Sequence, residues 1–196
     1  MSAPHPDPAD RPGRVSPTAA EVAAPRPGDD IVPDPDSVMD RAFTVPAPPE
    51  EVWPWIVQLG KQRAGWYLPR SVERLVPPGR RAVRHLDPRW QSLEVGSVIP
   101  DYGGRHETFE VARIEPPHTL VHRSQRRTVR VSWSITLAPE GPEGRSTRVR
   151  LRLRLGPVRR RWLVDTVGEL VDRLTVAGLA AGLDERVRGA APPVSP

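Results

Sequence analysis

Hydrophobic and polar positions change period along this chain. From Arg41 to Val45 apolar residues alternate around Phe43 and Val45, the period of a strand with one buried face. Pro46 to Pro49 end that strand, and Val52, Ile56 and Leu59 then recur at helical spacing. Leu68 to Val76 predicts a second, shorter helix, closed by Pro77, Pro78 and Gly79. Arg80 to Gly96 is irregular and contains Trp90. From Val98 onward the pattern becomes short strands separated by turn residues, as in an antiparallel meander. Its main members are Thr108 to Ile114, Thr119 to Ser124, Thr128 to Leu137 and Thr147 to Leu155.

The last two strands alternate most regularly. Val129, Val131, Trp133, Ile135 and Leu137 share one face, as do Thr147, Val149, Leu151, Leu153 and Leu155. Pro139 to Ser146 joins them as a hairpin. The opposite face of the second carries Arg148, Arg150, Arg152 and Arg154, which predicts a sheet covered on one side and wet on the other.

From Arg160 to Arg188 the period lengthens again, with Leu163, Val167, Leu170, Leu174 and Ala177 at helical spacing and Ala181 close behind. One long C-terminal helix on the apolar sheet face is expected. Gly178 and Gly182 would weaken an isolated helix, which points to close approach of another element. Pro54 falls inside the first helix, and a kink there is expected to give Trp53 and Trp55 different surroundings.

The chain has 196 residues, room for one ordinary domain. Residues 1–36 hold nine of the 26 prolines, no aromatic residue and no sustained apolar period, so they read as a disordered tail, with Asp29 to Met39 beginning to lie against the domain. The domain is placed at 37–188 and a frayed C-terminus at 189–196. Net charge is +5, and Lys61 is the only lysine among 29 basic residues, a bias that reads as codon usage. Absence of cysteine excludes disulfides, thiolate metal sites and a cysteine nucleophile. Residues 1–40 carry no basic stretch followed by an apolar one, and Leu174 to Leu183 is too short to span a bilayer. A cytoplasmic location is the expectation.

The element order, strand, helix pair, antiparallel meander and long closing helix, resembles the helix-grip fold of the START-like superfamily, also called SRPBCC, which includes polyketide cyclases and lipid-transfer proteins. PAPPEEVWPWIVQLG is similar to the first-helix signature of a bacterial branch, AGWY to the aromatic element after it, and RWQSLEVGSVIP to the start of its second strand. FEVARIEPPHTLV resembles the next hairpin and LTVAGLAAGLDERV the end of the long helix. The resemblance runs from about Asp30 to Val187 and is specific for fold more than for reaction. It implies an α+β fold, a curved antiparallel sheet wrapped around a long C-terminal helix with two short helices after the first strand. Members commonly hold lipids, polyketides or other apolar molecules between sheet and helix. The chain departs from the pattern in its arginine density and its long N-terminal tail.

A curved sheet closed by one helix leaves concave space lined by inward strand positions. Phe109, Val111, Trp133, Leu151 and Leu153 form that set, with Trp66, Tyr67 and Trp90 added from the irregular region and Leu170 and Leu174 from the helix. The same residues also suit an ordinary packed core. Tyr67, Asp101, His106, Glu107 and His122 are the titratable groups nearest the expected mouth. Tyr67, His106 and His122 are the catalytic candidates if the ligand is transformed.

Other chemistries fit poorly. His118 and His122 share a strand face but lie ~13 Å apart, too far for one ion, and no metal is expected. There is no Gly-x-Ser-x-Gly elbow, and Gly141 to Thr147 lacks the lysine and following helix of a phosphate loop. The Arg face, with Arg123, Arg126, Arg127, Arg130 and the run Arg159 to Arg161, offers weak contact with an anionic membrane surface. It lacks interleaved aromatic residues, so nucleic acid is not expected. The sequence thus predicts a binder of a small hydrophobic molecule without a cofactor, the alternative being a cyclase or dehydratase acting in the same cavity.

Overall fold

Six antiparallel strands form one sheet in the order β1-β6-β5-β4-β3-β2. They are β1 (Ser37–Val45), β2 (Val98–Pro100), β3 (Thr108–Glu115), β4 (Thr119–Arg126), β5 (Val129–Glu140) and β6 (Ser146–Gly156). The computed structural model describes residues 15–102, 104, 106–158 and 169–190, with side chains of the last segment described from Leu174. Register follows the alternation: Trp133 pairs with Leu153, Ile135 with Leu151 and Leu137 with Val149, so two apolar stripes become one concave face. β1 adds Met39 opposite Leu153, Arg41 opposite Leu151 and Phe43 opposite Val149. A shift of register between Val111 and Arg113 bends β3 against β4.

The concave face is closed by helices. α2 (Pro49–Gln58) starts with proline at its first position and Glu50 and Glu51 in its first turn, where a missing N–H costs nothing and negative charge meets the helix dipole. The helix continues through Pro54. Trp55 is fully buried while Trp53 is half-buried, so the two indoles have the different surroundings expected of them. α3 (Arg70–Glu73) is a single turn, shorter than the Leu68 to Val76 pattern suggests.

The closing helix, α4 (Glu169–Ala190), turns Val176, Leu179, Ala180, Leu183 and Val187 inward. This is a different stripe from the one the sequence predicts, and Leu174 is 65% exposed. Arg159 to Arg161, Leu163, Val167, the Leu170 side chain and residues 191–196 lie outside the described residues. Gly178 and Gly182 show the close approach expected of them. A Cβ on Gly178 would lie 2.7 Å from Leu68 Cδ2, and one on Gly182 would lie 2.5 Å from the backbone nitrogen of Leu68.

Arg186, on the same helix, is fully buried. It donates to Glu73 Oε1 at 2.6 Å and to the carbonyls of Val83 at 2.9 Å and Leu68 at 3.1 Å, beneath the Tyr67 ring. Glu73 also receives Arg84 at 3.0 Å, so this end of the fold is a buried ion network.

The convex face departs from expectation. Val15 to Asp36, read from sequence as part of a disordered tail, lies against the sheet and includes α1 (Ala19–Ala23), capped by Thr18 and Glu21. Arg148 is held by both carboxylate oxygens of Glu21 at 2.9 Å. Arg152, only 4% exposed, bonds Asp40 at 2.8 Å, Asp29 at 2.9 Å and the carbonyls of Val22 at 2.6 Å and Ala24 at 3.1 Å. Arg154 reaches the carbonyls of Val32 and Pro33, both at 2.9 Å. Gly28, at a φ of 89°, has no room for a Cβ, which would fall 2.5 Å from Val121 Cγ1, and its carbonyl accepts from Ser132 Oγ at 2.7 Å.

The predicted wet face is therefore a bed for the N-terminal segment, and three of its four arginines are taken up internally, which reduces what it offers to anionic lipid. A segment docked through carbonyls and carboxylates leaves no apolar period, so hydrophobic patterning does not register it.

Candidate functional site

A cavity of about 880 Å³ lies between the concave sheet face and α4. Its walls are the inward positions of the long strands: Met39 from β1, Val129, Val131 and Trp133 from β5, and Leu151, Leu153 and Leu155 from β6. Ile99 and Phe109 close one end, and Thr175 and Val176 supply the helix side. The strand alternation that makes the sheet also makes this lining apolar.

Trp66 forms the remaining wall. A pair of hydrogen bonds between Gly60 and Gly65 pinches the chain after α2 into a tight loop that turns Trp66 toward the sheet. Gly65, at a φ of 87°, packs so closely that a Cβ would lie 2.9 Å from Ala82 Cα. Trp66 Nε1 donates to the Thr175 carbonyl at 3.1 Å, tying the loop to α4. Its indole stacks on Trp133 at 6.2 Å and meets Tyr102 edge-on at 6.2 Å. Trp133 continues the array to Phe109 at 5.8 Å and His122 at 5.3 Å.

Polar groups gather at the rim. Lys61 Nζ donates to the carbonyls of Asp101 at 2.9 Å and Gly104 at 3.0 Å. The Asp101 carboxylate pairs with Arg126, whose guanidinium also lies 5.4 Å over the Phe109 ring. Partial burial raises the Tyr102 phenol above its ordinary pKa. Arg41, buried, lines the cavity from β1. Among the described residues no three His, Asp or Glu side chains converge as metal ligands.

The sequence profile of the family described as polyketide cyclase / dehydrase and lipid transport matches residues 38–188. The chain belongs to that family. Solved structures similar to it include CalU16 from Micromonospora echinospora, at 17% identity, with 80% of this chain and 77% of that one covered and a TM-score of 0.46. MLL2253 from Mesorhizobium loti matches at 17% identity over 80% of this chain and all of its own, with a TM-score of 0.49. A Rhodobacter sphaeroides protein matches at 16% identity over 82% and 98%, with a TM-score of 0.49. Among curated proteins nothing matches.

In this member of the polyketide cyclase / dehydrase and lipid transport family, the cavity brings together Trp66, Phe109, Trp133, Leu151 and Leu153 of the residues named from sequence. It does not include Val111, Tyr67, Trp90 or Leu174, and Val111 is instead part of the packed core. Tyr67 is 0% exposed in the core; its hydroxyl donates to the Trp55 carbonyl at 2.8 Å, and burial pushes its pKa well above the ordinary phenol value. Neighbouring residues of an extended segment point to opposite sides, so Trp66 takes the cavity and Tyr67 the core. Trp90 ends a short 3-10 turn (Pro88–Trp90), packed against the core with Arg89 over its ring. Leu174 faces away because α4 presents Thr175 and Val176 to the cavity.

Of the catalytic candidates, His106 is exposed in the loop after β2. His122, 2% exposed, lies behind Trp133, and both its ring nitrogens lack a hydrogen-bond partner. Burial, with a smaller contribution from the Arg63 charge, lowers its pKa to about 4, so at neutral pH it packs as an uncharged ring.

The charged and phenolic residues that do reach the cavity are Arg41, Lys61, Asp101, Tyr102 and Arg126. Of these, sequence reading placed only Asp101 near the mouth. Arg126 carried a signal in the inward alternation of Leu120, His122 and Ser124. Lys61 carried another as the only lysine.

Proposed function

We propose that the protein binds a small hydrophobic molecule, a lipid, polyketide or similar metabolite, in the cavity between the sheet and α4. The observation that carries this reading is a cavity of about 880 Å³ walled by aliphatic and aromatic side chains, with charge confined to a few positions. Trp66, Phe109, Trp133 and Leu151 are the proposed contacts, and the family's description, which includes lipid transport, supports the same assignment. The carrier is proposed to work in the cytoplasm; among the described residues no helix is long and apolar enough to cross a membrane. Native mass spectrometry combined with displacement of a hydrophobic dye tests it. A one-to-one complex with an apolar probe supports the reading, and failure of both assays removes it.

A cyclase or dehydratase reaction in the same cavity is the second reading. The observation in its favour is that Asp101 and Tyr102 both face the cavity, a carboxyl and a phenol able to exchange protons with a bound enol or carbonyl. Tyr67 and His122, enclosed in the core, are not proposed for that role. Turnover of an aromatic polyketide substrate that fell by about a hundredfold in both Asp101→Asn and Tyr102→Phe would support it. Unchanged turnover in both variants would dismiss these residues.

A further inference from the structure

Lys61 stands at the rim of the cavity and is the only lysine in the chain. Its ammonium donates to two neutral carbonyls, those of Asp101 and Gly104, and has no carboxylate partner among the described residues. An ammonium carries three N–H donors, so one is left over. Beside it Arg126 is neutralised by Asp101, while Glu107, 3.9 Å from Arg126 Nε, lies outside the lining and is partly in solvent. At this rim the cavity lining therefore holds two cations against one carboxylate. A half-buried ammonium bonded only to carbonyls is incompletely compensated, and an opposite charge brought by the ligand would complete it.

We infer that the ligand is an amphipathic monoanion, with its apolar body against Trp66 and the sheet and a carboxylate head on Lys61 Nζ at the rim. The inference rests on the proposed reading of the cavity as a binding site. A single spare donor and, at this rim, a single excess charge suit a carboxylate; Arg41, the third cation of the lining, sits apart on β1. A phosphate monoester dianion would demand more of both.

Calorimetric titration of the full chain with lauric acid, lauryl alcohol, methyl laurate and lauryl phosphate tests the head group at constant tail. The acid is expected to bind about tenfold more tightly than the alcohol or the ester, the size of one charge-assisted hydrogen bond. Lys61→Met should bring the acid down to the affinity the alcohol shows for the unaltered protein, and Lys61→Arg should retain the preference. Equal binding of acid and alcohol would overturn the head-group assignment and leave the cavity reading standing. Tighter binding of the phosphate would overturn the carboxylate. Retention of the full acid preference in Lys61→Met would overturn Lys61 as the anchor. Binding of none of the four would overturn the cavity reading itself. The comparison of probes on the unaltered protein decides the head group without any variant.

Discussion

Trp66 and Trp133 stack at 6.2 Å with their planes 26° apart, and that contact joins the loop after α2 to the middle of the sheet across one end of the cavity. It makes the pair both a wall and a reporter. An apolar ligand against these indoles should change their fluorescence, and Trp133→Ala should weaken binding of an apolar dye about tenfold or more through lost contact area. Trp66→Phe should keep most of the wall but lose the bond to the Thr175 carbonyl, lowering stability by about 1 kcal/mol in urea denaturation. Binding insensitive to Trp133→Ala would place the ligand elsewhere.

The buried ion network should dominate the stability of the far end of the fold. Arg186→Met leaves Glu73 with only Arg84 and frees the carbonyls of Val83 and Leu68, at a cost of about 3 kcal/mol. Chemical denaturation should show a lower midpoint with an unchanged slope. A loss below about 1 kcal/mol would mean that the network contributes little.

His122 should make stability depend on pH. Its folded pKa of about 4 lies below the ordinary histidine value of 6.5, so the unfolded chain binds the extra proton between those limits. Stability therefore rises with pH through that window and falls on acidification, by at most about 3 kcal/mol. Glu21 is depressed from 4.5 to about 2, chiefly by its hydrogen bonds to Arg148; its contribution is complete above pH 4.5 and disappears as pH falls toward 2. Thermal melting of His122→Phe should lose the slope between pH 6.5 and 4 and keep the acid loss below it. An unchanged slope would assign it to other groups.

Two glycines of α4 should behave oppositely. Gly182→Ala drives a methyl group into the backbone of Leu68 and Tyr67 and should cost several kcal/mol, on the order of the larger single-site effects. Gly189→Ala meets nothing within 4 Å and should raise stability by up to about 1 kcal/mol through helix propensity. Melting temperatures that move in the same direction for both would contradict the packing described.

The sheet was legible because β5 and β6 alternate without a break, and the pairing of Trp133 with Leu153 only confirms which faces meet. Gly178 and Gly182 were legible because glycine inside a helix needs a reason. The phase of α4 was not: Leu174 and Val176 both belong to stripes of helical spacing, and only packing against Leu68 and β1 selects the one through Val176. Nor was the docked N-terminal segment, since Arg148, Arg152 and Arg154 are satisfied by Glu21, Asp29, Asp40 and main-chain carbonyls, which carry no periodicity. At the cavity, the strand-borne wall followed from alternation, whereas Lys61, Asp101 and Tyr102 come from loops whose course no local pattern determines.

The central claim is that the space between the sheet and α4 is a binding cavity, and filling it is the most direct test. Leu153→Trp adds an indole to the cavity wall from the middle of β6. Titration of an apolar fluorophore into both proteins should give one-to-one binding for the unaltered chain and a loss of at least about tenfold for the folded Leu153→Trp variant. Equal binding by the two proteins, or no binding by either, would contradict the account.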